Sequence, residues 1–168
     1  MKWEKKGLIF CANHNSKTMI SYGRQPTPIH LYDDVFRVFF ETRNNKNTAY
    51  IHFLDIDITN PKEILRIQNK PIIKYGNTGT FDDNGTTPFS AIKHDGDFWL
   101  YYCGWTLDVK VPFHNAIGIA VSKDNGETFS KMFNGPVLAR DKYDPYFPTG
   151  PLVKCEDGIF KMWYTSFE

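Results

Sequence analysis

Apolar and aromatic positions alternate with polar ones in short runs along most of the 168-residue chain. Runs of about four to eight residues with this period of two predict β-strands that are buried on one face. Turn signals such as Asp33-Asp34, Asp95-Gly96 and Asn60-Pro61 separate the runs. No stretch combines a helical period with capping residues. The pattern therefore predicts an all-β fold.

The strand pattern recurs at a fixed interval. Phe36, Phe98 and Phe160 lie in register, 62 residues apart, and a proline-led apolar segment precedes each of them. A long period built from short strands predicts a repeated array such as a β-propeller, whose blades have four antiparallel strands each. The predicted strands are 28–32, 35–42, 49–57 and 64–73 in the first unit, 88–93, 97–104, 115–122 and 128–138 in the second, and 151–154 and 159–166 in the third.

These strands predict one partial propeller domain over residues 1–168, with about two and a half blades. Blade one covers about 26–75, blade two about 86–140, and the start of blade three about 148–168. A closed propeller needs about four or more blades. Three explanations stay open: a fragment of a longer protein, the product of a shortened gene, or one of two copies that complete a ring. An incomplete ring exposes a strand edge and an apolar sheet face, which predicts self-association.

Composition and charge exclude several classes of function. A net charge of +1 without a basic block argues against nucleic acid as the main partner. No apolar run reaches the length of a signal peptide or a transmembrane helix, so no membrane association is expected. Cys11, Cys103 and Cys155 show no metal-binding spacing, which favours reduced thiols and a cytoplasmic location. The five histidines share no ligand spacing either, and neither a metal nor another cofactor is expected.

The segment "SKDNGETF", from Ser122 to Phe129, fits the Asp-box pattern Ser-x-Asp-x-Gly-x-Thr-aromatic. In such a hairpin turn, Asp124 can accept hydrogen bonds from nearby backbone amides and Gly126 can adopt a positive φ, while Phe129 packs under the loop. In proteins that carry this motif, the turn lies on the outside of a propeller. The motif thus predicts fold and not activity.

Five segments spread over residues 70–165 carry a family resemblance: "GTFDDNGTTPFSAI", "DFWLYYCGW", "IGIAVSKDNGETF", "NGPVLAR" and "GPLVKCEDGIFKMWY". In their order and spacing they resemble the N-terminal part of a five-bladed β-propeller of the glycoside hydrolase family 43, 32 and 130 type. They are most similar to uncharacterised glycosidase-like proteins encoded near bacterial surface-polysaccharide genes. The resemblance implies a five-bladed propeller with a central cavity that takes a carbohydrate ligand.

The resemblance also implies one carboxylate on the innermost strand of each of the first three blades. It places an Asp before a proline in blade one, an Asp after a proline in blade two, and a general acid Glu before Gly-Pro in blade three. The matching positions here hold Gln25 and Thr27, Phe89, and Thr149. None of these side chains exchanges a proton near neutral pH as a carboxylate does. The usual two-carboxylate mechanism is therefore not carried over.

Asp82 and Asp144 remain as candidate catalytic residues. They are also 62 residues apart, and each precedes the inner-strand proline of its blade on the loop that enters the blade. They are predicted either to form an acid and base pair or to bind sugar hydroxyls. The alternative is that a carboxylate recurring in register caps a turn in each blade. Asp83 is a candidate for substrate binding, and its alternative is a solvated turn residue.

Two arginines and two ring side chains are further candidates for substrate binding. Arg24 and Arg43 offer planar guanidinium groups that suit a carboxylate, a phosphate or a pair of sugar hydroxyls. Salt bridges to Glu41 or Asp82 would explain them as well. Trp105 is predicted either to stack on a sugar ring or to be a core aromatic. His114, in a polar insertion, is placed where a loop can overhang a pocket.

Two hypotheses for function follow. The first is a glycosidase-like enzyme of polysaccharide metabolism that uses non-standard carboxylates. The second is a sugar-binding or assembly module without catalysis, or an inactive part of a glycosidase. The missing carboxylates favour the second hypothesis, whereas the inner-strand framework and the polar loop around Asp82 favour the first.

Overall fold

The computed structural model describes residues 2–167. Within this range the chain forms ten β-strands and no helix. The strands are β1 Ser21–Tyr32, β2 Val35–Arg43, β3 Ala49–Asp57, β4 Ile64–Ile67, β5 Thr86–His94, β6 Asp97–Leu107, β7 Phe113–Ser122, β8 Ser130–Lys131, β9 Phe147–Glu156 and β10 Ile159–Phe167. The all-β prediction is confirmed.

The strands form three separate antiparallel sheets that follow the chain in order. The first sheet is β1-β2-β3-β4, the second is β5-β6-β7-β8, and the third is β9-β10. The predicted strands match these elements, but the fourth strand of each complete sheet is shorter than predicted. Beyond each short strand the chain stays beside the sheet through separate backbone bonds, such as those from Ile72 N–H to Ile51 and from Val137 N–H to Ile117. The first and second sheets therefore each end in a short outer strand.

Tight hairpins connect the first two strands of each sheet. Asp33, Asp95 and Asp157, again 62 residues apart, all have a positive φ, between 43° and 53°. In the second and third hairpins a glycine with positive φ follows, Gly96 and Gly158. Two consecutive residues with positive φ give a type I′ turn, whose twist matches that of the flanking strands. The first hairpin has Asp34 in place of the glycine and shares only the positive φ of its first residue.

The first strands of the three sheets lie next to one another, because β1 contacts β5 and β5 contacts β9. Between β5 and β9, the backbone N–H of Val153 donates to the Ser90 hydroxyl at 3.0 Å. We call β1, β5 and β9 the inner strands. Each of them carries an irregularity in its ladder, where two residues of the inner strand face one of its partner or a residue is skipped. These irregularities are β-bulges.

The inner-strand bulges coincide with the recurring prolines of the sequence. Pro26 and Pro151 lie within the bulges of β1 and β9, and Pro88 stands beside that of β5. Since a bulge leaves a residue unpaired, it tolerates the missing N–H of a proline. Bulges also redirect side chains, and Gln25 in the β1 bulge has a φ of 53°. The proline-led segments thus mark the places where the inner strands bend.

The main core lies between the first and second sheets. It consists of buried aliphatic and aromatic side chains on strands and on the segments that follow β4 and β7, namely Ile29, Phe39, Ile51, Phe53, Ile72, Ile73, Phe98, Leu100, Tyr102, Ala120 and Phe129. A second cluster joins the N-terminal segment to the first sheet through Ala12, Met19, Phe40, Leu54 and Ile56. Among residues 2–167 there is no helix that could span a membrane.

The turn at 122–129 has the contacts that its sequence predicts. Asp124 accepts hydrogen bonds from the Thr128 backbone N–H and hydroxyl, at 3.0 and 2.6 Å. Gly126 has a φ of 83°, and its N–H donates to the Ser122 hydroxyl. The Phe129 ring packs edge-on against Phe39 at 5.4 Å. Through Phe129, this hairpin of the second sheet therefore packs against β2 of the first sheet in the main core.

Candidate functional site

A cavity of about 430 Å³ lies where the three inner strands meet. Its walls include side chains from all three bulged regions, together with residues of β2, β6 and β7 and of the loop before β7. The lining residues are Arg24, Gln25, Glu41, Arg43, Asn47, Thr87, Phe89, Cys103, Trp105, Leu107, Pro112, Phe113, Asn115 and Thr149. We call it the inner-strand cavity. Three positions at which family carboxylates were sought, Gln25, Phe89 and Thr149, line it.

Glu41 is the one carboxylate among the described residues that line this cavity. Its side chain has no exposed surface. Oε1 accepts hydrogen bonds from Arg24 Nη2 and Arg43 Nε, both at 2.7 Å, and Oε2 accepts one from the Thr87 hydroxyl. Because both carboxylate oxygens are engaged by the protein, Glu41 serves to hold the arginines in position.

The two arginines differ in how firmly the protein holds them. Arg43 is 13% exposed. Its Nη1 donates to the carbonyl oxygen of Asn47 at 3.0 Å, and its guanidinium lies 4.6 Å from the centre of the Trp105 ring. Arg24 is paired with Glu41 across the ladder, yet its side chain is 46% exposed. The salt bridges to Glu41 that the sequence left open as an alternative are present, and they leave Arg24 partly free.

Trp105 is buried, with 8% of its surface exposed. The Arg43 guanidinium covers its ring, and Phe113 packs edge-on at 6.3 Å. Trp105 is thus mostly a core aromatic that contributes to the cavity wall, and sugar stacking on it stays a prediction. Asn115 donates from Nδ2 to the Thr149 hydroxyl at 3.2 Å, which places an amide and a hydroxyl side by side on the wall.

Asp82 is buried in the second sheet and does not line the inner-strand cavity. Its Oδ2 accepts a hydrogen bond from the Tyr102 hydroxyl at 3.2 Å and pairs with Lys131 Nζ at 2.5 Å. Burial, and then the Asp82 charge, raise the pKa of Tyr102 far above its usual value. A Cβ at Gly104 would clash with Asp82, so glycine is needed where the loop meets β6. These contacts favour the structural reading of Asp82.

Asp144 has the same arrangement in the third sheet. The Tyr164 hydroxyl donates to Asp144 Oδ2 at 3.0 Å, just as Tyr102 donates to Asp82, and this bond raises the pKa of Tyr164. In the first sheet the equivalent positions hold Ile20 and Phe40. The carboxylate and the hydroxyl are therefore absent together, as expected if they form a structural pair. A catalytic role of Asp82 and Asp144 stays a prediction.

Asp83 and His114 do not line the inner-strand cavity, although His114 lies between two lining residues of β7. Asp83 accepts a hydrogen bond from the Gly79 backbone N–H at 2.8 Å and thus caps its own turn. His114 Nε2 lies 2.9 Å from Asp108 Oδ2, in a smaller cavity of about 250 Å³ that Arg140 and Tyr146 also line. Of the predicted substrate-binding residues, the structure brings Arg24, Arg43 and Trp105 together.

Glu41, Thr87 and Asn115 were missed as candidates. For Glu41 a signal existed, because the alternation of "RVFFETR" places Arg37, Phe39, Glu41 and Arg43 on one face of β2. Thr87 and Asn115 carry no such signal, since a hydroxyl or an amide is common in any strand. No group of His, Cys, Asp or Glu side chains within residues 2–167 has the arrangement of a metal site.

Two curated relatives resemble the chain over nearly its whole length. Both are uncharacterized proteins of Mycobacterium tuberculosis, from strains CDC 1551 / Oshkosh and H37Rv. Each is 35% identical over 166 residues, which is 99% of this chain and 55% of the relative. The chain thus spans about half the length of the curated relatives it matches. No family model matches the sequence.

Solved structures with a similar fold include β-propeller glycoside hydrolases. A family 117 glycoside hydrolase of Zobellia galactanivorans matches with a TM-score of 0.62 and 16% identity, over 97% of this chain and 48% of its own. A sucrose-6-phosphate hydrolase of Lactobacillus gasseri gives 0.64 and 15%, over 90% and 29%. A GH43_1 enzyme of Xanthomonas citri complexed with xylose gives 0.53 and 17%, over 84% and 39%. The fold is therefore of the glycosidase-like β-propeller type.

Proposed function

We propose that the chain is a glycosidase-like protein that binds a carbohydrate in the inner-strand cavity. The observation that carries the proposal is the convergence of the three bulged inner strands on one cavity with polar and aromatic walls. Guanidinium, amide and hydroxyl groups supply directional hydrogen bonds there, while Trp105 and Phe113 supply apolar surface. Such a mixture is typical of small-molecule sites.

Binding is favoured over hydrolysis by the positions of the carboxylates. Hydrolysis by two carboxylates needs both groups beside the glycosidic bond. Glu41 is the only carboxylate among the described residues that line the cavity, and the protein engages both of its oxygens. Asp82 and Asp144 each pair with a tyrosine of their own sheet. Glycoside hydrolysis with Asp82 and Asp144 remains the second candidate, supported by the fold.

A glycan microarray printed with neutral and acidic bacterial polysaccharides tests the proposal. We expect a subset of the printed glycan spots to retain the purified chain. Asn115→Ala should weaken retention several-fold, because it removes a hydrogen-bonding group from the cavity wall. Asn60→Ala is the matched control, since Asn60 is an exposed turn residue that bonds Glu63. Retention of no glycan, or an equal effect of the two substitutions, would contradict binding in this cavity.

We also propose that the chain associates with a second copy through β10. This strand has a single ladder partner, β9, and it exposes the large side chains of Phe160, Trp163 and Phe167. An unpaired edge with exposed aromatic groups favours further pairing. Light scattering should show a mass above the 19.5 kDa of one chain. Trp163→Glu should lower that mass, whereas Trp3→Glu, on the exposed N-terminal segment, should not.

A cytoplasmic location stays part of the proposal. The structure has Cys11, Cys103 and Cys155 as free thiols, which is consistent with a reducing compartment. Burial raises the pKa of the Cys103 thiol to about 11, so this cysteine stays protonated and poorly reactive. Fractionation of the source cells, with an antibody against the chain, tests the location. Recovery in the secreted fraction would contradict it.

A further inference from the structure

We propose that the carbohydrate bound in the inner-strand cavity carries an anionic group, a carboxylate or a phosphate, which Arg24 and Arg43 bind. The inference rests on the proposed function and specifies the class of ligand. A neutral sugar needs only hydroxyl and amide partners, and the cavity has those in Asn115 and Thr149. The two guanidinium groups are the feature that a neutral ligand leaves unexplained.

The charges that line the cavity are unbalanced. Among its described lining residues, Arg24 and Arg43 are positive and Glu41 is the only negative one. One positive charge is therefore left in excess, in a concave site where the surrounding protein reduces screening by water. An anionic substituent on the ligand would balance this charge. A second carboxylate of the described chain that could do so is absent from the lining.

The hydrogen-bonding capacity of Arg24 is also only partly used. A guanidinium has five N–H donors, and within residues 2–167 Arg24 makes one side-chain hydrogen bond, from Nη2 to Glu41. With 46% of its side chain exposed, its other donors remain available to a ligand. A planar fork of this kind matches the two oxygens of a carboxylate or phosphate.

The position of Arg24 is fixed in advance by its surroundings. It precedes Gln25, whose φ of 53° is uncommon for a residue other than glycine, and the β1 bulge begins at this point. Glu41, buried and bonded also to Arg43 and Thr87, holds the guanidinium from behind. Strained backbone and buried partners of this sort are typical of preorganised binding sites. Stability is a weak explanation for Arg24, because its guanidinium is half exposed and the buried Glu41 already has Arg43 and Thr87 as partners.

The polysaccharide array separates the ligand classes when its acidic members include both uronate-bearing and phosphate-bearing glycans. We expect the spots of acidic glycans to retain the chain and the spots of neutral glycans not to retain it. The amount of retained chain should fall as the ionic strength rises. The uronate and phosphate spots distinguish the two sources of negative charge. For the glycans retained, biolayer interferometry then gives dissociation constants for the variants.

Arg24→Gln should weaken binding of the acidic glycans about tenfold or more, because it removes a charge-assisted hydrogen bond. Arg66→Gln is the matched control, since Arg66 is also about half exposed and paired with a glutamate, but lies outside this cavity. Arg24→Lys keeps the charge without the planar fork and should lie between the two.

Each outcome decides the inference. If neutral glycans are retained as well as acidic ones, or if Arg24→Gln behaves like Arg66→Gln, the anionic class is wrong while carbohydrate binding stands. If no printed glycan of either class is retained, the proposed function fails, and this inference fails with it. Circular dichroism of Arg24→Gln and Arg66→Gln should show that both variants fold, so that the comparison of the two decides.

Discussion

One face of β2 carries two arginines near opposite ends of the strand, and their surroundings differ. Arg37 near its start lies in a closed ion-pair network that Asp55, Arg66 and Glu127 complete, which we call the Arg37 network. Arg43 at its end lies with Arg24 and Glu41 in the inner-strand cavity. Both regions are rich in charge and both border a cavity. They differ in the arginine at their centre, because Arg37 is buried with all its guanidinium nitrogens paired, whereas Arg24 is half exposed with one nitrogen paired.

The Arg37 network shows what an arginine looks like when the protein uses all of it. Nε and Nη2 donate to the two oxygens of Asp55, each at 2.8 Å, and Nη1 donates to the carbonyl oxygen of Asn125 at 2.8 Å. The guanidinium lies 3.6 Å from the centre of the Phe53 ring. Each guanidinium nitrogen thus has a partner, whereas Arg24 has partners for one. An arginine without a full set of partners is the better candidate for ligand binding.

The largest loss of stability should come from opening the Arg37 network. Arg37→Leu leaves Asp55 buried without its partner, and we expect the free energy of unfolding to fall by about 3–5 kcal/mol. Urea unfolding followed by fluorescence measures it. The double variant Arg37→Leu with Asp55→Leu should recover much of this loss, because no buried charge is left alone. A loss of less than about 1 kcal/mol in the single variant would show that the network is not closed.

A second closed cluster should respond to pH. His52 is fully buried and bonded by the hydroxyls of Thr18 and Thr42, and burial lowers its pKa to about 4. In the unfolded chain the His52 imidazole binds a proton near pH 6.5, whereas in the folded chain it does so only near pH 4. The free energy of unfolding should therefore fall as the pH drops from about 6.5 towards 4. The loss should approach about 3 kcal/mol. His52→Gln should flatten this part of the pH profile, and an equally steep profile in that variant would contradict the assignment.

The two repeated aspartates should separate structure from catalysis. Asp82→Asn removes the charge that pairs with Lys131 in a buried setting, and we expect a loss of about 1–3 kcal/mol in unfolding free energy. Asp144→Asn should cost less, because its partner Tyr164 is 40% exposed. Thermal unfolding measures both. If instead both variants keep the melting temperature and abolish hydrolysis of a glycan substrate, the catalytic prediction is right and the structural reading is wrong.

The smallest effect on stability should come from Arg24. Its guanidinium is half exposed, and Glu41 keeps its bonds to Arg43 and Thr87 without it, so Arg24→Gln should change the free energy of unfolding by less than about 1 kcal/mol. The same urea experiment measures it beside Arg37→Leu. A loss as large as that of Arg37→Leu would remove the contrast between the two regions, and Arg24 would then be structural.

Much of the fold could be predicted from the sequence, because strand alternation and the 62-residue interval are local patterns. Phe36, Phe98 and Phe160 each follow the hairpin between the first two strands of a sheet, as their register predicts. The site was harder to predict. Asp82 and Asp144 recur because each pairs with a tyrosine of the second or third sheet. Glu41 has no counterpart in the other repeats. Strand alternation places it on one face of β2 with Arg43, but only the packing of the three inner strands shows that this face lines a cavity.

Neither the strand alternation nor the 62-residue interval decides the number of blades or the assembly. The similar solved structures extend well beyond the part that matches this chain, and five blades in a complete ring stays a prediction. The boundaries at 26–75, 86–140 and 148–168 also stay predictions, although the sheets follow the same order. Strand period gives the local unit, while ring closure depends on contacts between units that are far apart in sequence.

The bulge prolines have a consequence for how the inner edges behave while the chain folds. Three first strands lie side by side, each with an outer edge that has no ladder partner within its own sheet. Flat edges of this kind would pair with each other and close the space between them. Pro26, Pro88 and Pro151 lie in or beside the bulges of these strands and have no backbone N–H. Prolines and bulges both make a strand a poorer partner for further pairing. Substituting these prolines should therefore favour mispaired sheets, which would fill the cavity, before it affects any ligand.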